Sequence, residues 1–103
     1  MTTKTASPQV TALQAQAAAN LFLNDRLPDR FTADQPQLNP ADALWHVPVI
    51  LAYPFVGSIG EVGEILISAD SEALVSHTPL EEMKERAQRL YDAHRDEIEA
   101  TFS

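Results

Sequence analysis

Three histidines, His46, His77 and His94, and fifteen Asp and Glu residues are the side chains of this 103-residue chain that could hold a metal ion or move a proton. A transition-metal site needs such ligands to converge, with further groups hydrogen-bonded to them to hold their orientation, and these spacings match no zinc signature. The nearest approach to a site is His46 with Glu64, a pair suited to a small molecule or a divalent cation. Glu61 is expected on the other strand face from Glu64, because side chains alternate along a strand. His94 falls in the apolar stripe of a helix and reads as a packed histidine, and His77 precedes a helix cap. None of Ser7, Ser58, Ser68, Ser71, Ser76 and Ser103 sits in a nucleophile elbow or beside a readable base. Paired-carboxylate catalysis requires two acids held in a cleft, for which the chain is small. The expectation is a non-enzymatic domain without a cofactor.

Gly57, Gly60 and Gly63 recur at every third position, yet the segment lacks both the dinucleotide fingerprint and the Lys-Ser/Thr ending of a phosphate loop. A hairpin loop with a bulge accounts for it better, since glycine supplies the positive φ of such turns. The same connection holds Pro54, Phe55, Val56 and Ile59, which is apolar for a surface loop. These side chains either grip a partner or, as we favour, Phe55 and Ile59 fold back over the end of the core.

Seven Lys and Arg against fifteen acids give a net charge of −8, the wrong sign for neutralising phosphates, so nucleic acid and anionic membranes are not expected partners. Residues 44 to 79 hold Glu61, Glu64, Asp70 and Glu72 and no lysine or arginine. Such an array would steer a basic protein into contact. No apolar stretch approaches the roughly 20 residues that span a bilayer. The absence of cysteine fits a reducing compartment, and the polar Met1 to Pro8 has no signal-peptide core, so a cytoplasmic location is expected.

The length suits one α+β domain over residues 1–103, with 1–7 as a flexible N-terminus. Ser7–Pro8 reads as a helix start, and Val10, Leu13, Ala17, Leu21 and Phe22 as the apolar stripe of a helix ending at Arg26. Residues 28–43 form a long loop or an edge strand over 31–37. Trp45, Val47, Val49, Leu51 and Tyr53 alternate along a first clear strand, Leu44 to Tyr53. Gly60 to Ala69 makes a second, and the turn Ala69–Glu72 leads to a third, Ala73 to His77. Thr78-Pro79-Leu80-Glu81 has the pattern of a capping box opening one long helix from Pro79 to about Thr101. The predicted fold is a two-layer sandwich of order α-(β)-β-β-β-α: an antiparallel sheet of three strands, or four, with both helices on the Trp45 face. Trp45, Val47, Val49, Ile65, Ile67 and Leu90 should form its core.

Trp45-His46-Val47-Pro48-Val49 followed by Glu64-Ile65-Leu66-Ile67-Ser68-Ala69-Asp70-Ser71-Glu72-Ala73-Leu74 resembles the PepSY-type pattern over residues 8 to 77. In that family a helix precedes a Trp-led strand, and a second strand turns through an acidic segment into a short third one. The resemblance implies this fold and a non-enzymatic binding role, and it carries no catalytic residues.

On the sheet face away from the helices, Leu44, Ile50, Val62 and Leu66 should lie beside His46 and Glu64. A one-sided antiparallel sheet ordinarily keeps that face polar, so something should cover it. The reading is a small acidic interaction module that self-associates through this face as a homodimer, or binds a basic protein there as an inhibitor or antitoxin does. Leu44, Ile50, Val62 and Leu66, with Phe55, Val56 and Ile59, are the candidate contacts. The alternative is a small-molecule or metal-binding domain using His46 and Glu64.

Overall fold

The computed structural model describes residues 9–28 and 30–102. The flexible N-terminus expected over 1–7 and the pair Ser7–Pro8 lie outside the described residues. Helix α1 (Ala12–Arg26) leads into two short strands, β1 (Phe31–Ala33) and β2 (Gln37–Asn39). Then come β3 (Leu44–Tyr53), β4 (Gly57–Ser68), β5 (Leu74–His77) and the helices α2 (Leu80–Ala93) and α3 (Arg95–Phe102). The sheet runs β1-β3-β4-β5 with β2 also on β3, all antiparallel. This is the expected α+β class. No described helix is long and apolar enough to cross a membrane.

The stretch 28–43 supplies an edge strand in two pieces. Phe31 pairs with Leu51 at one end of β3 and Leu38 with Trp45 at the other. The break spans Asp34–Pro36, and it meets Pro48 of β3, whose carbonyl accepts from the Asp34 N–H at 2.8 Å. Proline gives no ladder donor, so Pro36 and Pro48 belong where the pairing is interrupted. The outer edge of β1 is closed by α1. The Asn20 Oδ1 accepts from the Ala33 N–H at 2.8 Å, and the Gln16 Nε2 donates to the Ala33 carbonyl at 3.1 Å. Those amides satisfy an edge that would otherwise be open to pairing.

Helix α1 begins at Ala12 rather than Pro8. Thr11 and Gln14 form a reciprocal capping box. Just before it, the Val10 N–H donates to the Ala69 carbonyl at 2.9 Å and the Val10 carbonyl accepts from the Trp45 indole at 2.8 Å. These two bonds lace the helix start to β3 and the end of β4. The helix buries Ala15, Ala19 and Leu23, which corrects the expected stripe: Leu13 and Leu21 are 75% and 66% exposed. Small alanines at the contact let the helix backbone lie close to the sheet.

The long C-terminal helix is divided at His94, whose φ of −115° and ψ of 17° leave the helical region. Thr78 does not cap α2. Its hydroxyl accepts from the Glu64 N–H at 3.0 Å and its own N–H donates to the Glu64 carbonyl at 2.9 Å, so a sheet contact outcompetes the local cap.

Strand β4 carries two irregularities. Val49 faces Gly63 while Ile50 faces Glu61, so Val62 is an extra residue; a second slip leaves Ile59 extra between Ser58 and Gly60. An extra residue shifts the alternation by one. Val62 therefore enters the core with no exposed surface. The bulge expected in Gly57 to Gly63 is present, and the strand expected to start at Gly60 starts at Gly57 instead, so the whole segment is part of this bulged strand. Gly63 and Gly60 then lie beneath α2. A Cβ at Gly63 would stand 3.0 Å from Met83 Cγ, and one at Gly60 2.8 Å from Leu90 Cδ1. Trp45, Val47, Val49, Leu51, Ile65 and Ile67 complete the core from the sheet, with Leu90 partly buried against it. Both α1 and α2 thus cover the same sheet face, as expected. Each such side chain withdrawn from water contributes about 1.5–3 kcal/mol.

Candidate functional site

The face opposite the helices is built from Leu44, His46, Pro48 and Ile50 of β3 and Glu61, Glu64, Leu66 and Ser68 of β4, which are cross-strand neighbours. Leu44, Ile50 and Leu66 are half-buried there, and α3 packs mainly on α2, so no described helix covers them. Val62, expected among them, is a core residue, because the bulge turns it inward. The same bulge corrects the position of Glu61: it faces Ile50, while Glu64 faces Pro48, so both acids lie on the outer face. Of the expected contacts in the β3–β4 connection, Ile59 packs against the core and Val56 is half-buried. Phe55 does not fold back. It is 93% exposed at the hairpin tip. The Val56 N–H donates to the Tyr53 carbonyl at 3.2 Å across a turn with Pro54 in second place and Phe55 in third, at φ 69°. That left-handed conformation is rare for an aromatic residue.

His46 and Glu64 do come together. The His46 Nδ1 lies 3.2 Å from Glu64 Oε2, and its Nε2 lies 2.9 Å from Asp42 Oδ2. Asp42, missed in the sequence, is placed by a tight turn in which its other oxygen accepts from the Leu44 N–H at 3.0 Å. The only sequence sign of it was the spacing of four between Asp42 and His46. With both ring nitrogens facing carboxylates, the doubly protonated imidazolium satisfies both contacts at once. The hydrogen bond that the ring donates to Asp42 is the main cause that holds the His46 pKa above 6.5; burial opposes it and Glu64 adds to it. In turn, the His46 hydrogen bond draws Asp42 below 3.8. The ring acts as an ionic latch between the β2–β3 turn and β4 and offers no free nitrogen to a ligand. Among the described residues, no three His, Asp or Glu side chains converge as metal ligands. His77 packs at a tilt against Phe22, with ring centroids 4.7 Å apart, and donates from Nδ1 to the Thr78 carbonyl at 2.8 Å, and so belongs to the packing of α1 on β5. His94 marks the helix break.

The two most exposed leucines were expected in the apolar stripe of the first helix. Leu13 and Leu21 stand on the outer side of α1 on either side of exposed Ala17, at spacings of four. Alanines all round the helix hid which stripe would face the sheet.

No family model, no curated protein and no solved structure matches this chain.

The latch has a definite pH signature. A raised histidine pKa contributes stability that is complete below about pH 6.5 and is lost as pH rises through the folded value. The lowered Asp42 contributes above pH 3.8 and is lost as pH falls through its folded value. The urea midpoint of the wild-type protein is expected to drop more between about pH 6 and about pH 9 than that of His46→Gln. Equal drops in the two proteins would show that the latch does not form.

Proposed function

We propose that this chain is an acidic protein-interaction module whose uncovered sheet face docks a basic partner protein, as an inhibitor or antitoxin covers its effector. One observation carries the reading: Leu44, Ile50 and Leu66 are aliphatic groups on a face that no described helix covers, and Asp42, Glu61 and Glu64 surround them. An apolar centre within a charged rim is the ordinary anatomy of a docking surface. The sign of the rim selects the partner, because a second copy placed here would bring like charges together. Exposed Phe55, held in a strained conformation at the hairpin tip, extends the surface with an aromatic anchor. The helix and Trp-led strand of the PepSY-type resemblance support a binding role rather than catalysis.

Self-association is favoured by a different surface, the outer side of α1. Leu13, Ala17 and Leu21 are symmetric about Ala17, so a two-fold axis there sets each Leu13 beside the partner's Leu21 and lets the alanines approach closely. Residues 12–24 carry no charge, so this contact escapes the repulsion between two chains of net charge −8.

Affinity capture with the wild type and with Leu66→Arg in parallel, followed by titration of each purified captured protein, tests the main reading. The expected result is a basic protein whose affinity falls at least about tenfold with Leu66→Arg and weakens at high salt. Captured proteins that bind both forms equally would refute it. Sedimentation velocity at high micromolar concentration tests the second: dimer in the wild type and monomer in Leu21→Glu, with an unchanged melting temperature. A wild-type monomer, or a dimer indifferent to the substitution, would refute it.

A further inference from the structure

A cleft of about 410 Å³ opens on the helix-covered side of the sheet, between the start of β1 and α2. Its floor is the cross-strand pair Phe31 and Leu51, both buried, with Ala87 of α2 above them. Alanine at 87 leaves the space that a larger side chain would fill. Tyr53, two residues beyond Leu51 on the same strand face, and Tyr91, one helical turn beyond Ala87, form an aromatic wall. Their ring centroids are 6.2 Å apart at 43°. The size falls in the range of small-molecule sites, roughly 300–1,000 Å³, and the lining is largely apolar.

The charge at the mouth is the reverse of the charge of the molecule. Arg30 and Lys84 both line the cleft, and no described carboxylate does, although the chain has fifteen acids and seven bases. Arg30 is fixed at its backbone, where its carbonyl accepts from the Ala52 N–H at 2.9 Å. Its guanidinium lies 5.2 Å over the Tyr53 ring, and it pairs with no carboxylate among the described residues. Among the described residues Lys84 has only Glu81, at 3.7 Å, with both side chains more than half exposed. A pair of that kind is worth little and yields readily to a better-placed anion. A guanidinium stacked on an aromatic face keeps its edge free for a bidentate bond to a carboxylate.

We propose that this cleft binds a small aromatic carboxylate, with its ring on the floor of Phe31 and Leu51 beside the two tyrosines and its carboxylate held by Arg30 and Lys84. The site is separate from the outer sheet face, so it stands or falls independently of the partner proposed above. The two residues supply the sign preference, and the cleft walls supply the apolar contact.

The test is calorimetric titration of the full chain with indole-3-acetate and 1-naphthoate, each against its neutral amide. Two-dimensional NMR of the amides of Phe31, Ala87 and Tyr91 locates the binding. At least one acid is expected to bind at least tenfold more tightly than its amide and to shift those three amides. The double variant R30Q/K84Q should lose that preference while keeping its melting temperature, since both side chains reach solvent. The proposal is overturned if neither acid binds at millimolar concentration, if both acids bind no better than their amides, if the shifts lie elsewhere, or if the double variant keeps the preference. Should the double variant unfold, R30K decides the matter in its place: it keeps the charge and loses the planar fork, so reduced affinity supports the proposal and unchanged affinity opposes it.

Discussion

One inserted residue in β4 governs the rest of this structure. Without the bulge opposite Val49, strict alternation from Ile65 would carry Val62 to the outer face and Glu61 to the inner one, burying a charge beneath α2. With it, Val62 joins the core and both Glu61 and Glu64 face outward. The side chain at 63 must then be absent, because Met83 and Thr78 occupy its place at 3.0 Å. Bulge, glycine and helix contact are thus one constraint seen from three sides.

The two faces of the sheet differ for that reason. On the inner one, α1 approaches through alanines and α2 over glycines, and the cleft lined by Arg30 and Lys84 opens between the start of β1 and α2. On the outer one, three aliphatics remain with Glu61 and Glu64, and His46 is clamped between Glu64 and Asp42 of the β2–β3 turn. A molecule with net charge −8 therefore presents an acidic apolar surface on one side and a cationic apolar cleft on the other. The same short chain separates two surfaces of opposite sign.

Strong periodicity made much of this legible. The alternation of Trp45, Val47, Val49 and Leu51 is a buried face of β3, and the α+β order holds. Legibility failed where distant contacts decide. Thr78 has the sequence of a cap, but the backbone of Glu64 claims its hydroxyl. Alanine-rich α1 has no single apolar stripe, so only the sheet could choose Ala15, Ala19 and Leu23 over Leu13 and Leu21. Gln16 and Asn20 are edge partners of Ala33, a role that no periodicity in the sequence marks. At the outer face, His46 and Glu64 could be paired from sequence, whereas Asp42 enters through a turn that alternation does not describe. Glycine at every third position signalled irregular backbone, but not which neighbour would turn inward.

The inward turn of Val62 is open to direct measurement by methyl NMR with a soluble paramagnetic agent, with Val47 as the buried standard and Val75 as the exposed one. The bulge requires the Val62 methyls to be shielded like those of Val47. Broadening of Val62 to the extent seen at Val75 would mean that β4 alternates without interruption, and the division of the two faces would be wrong.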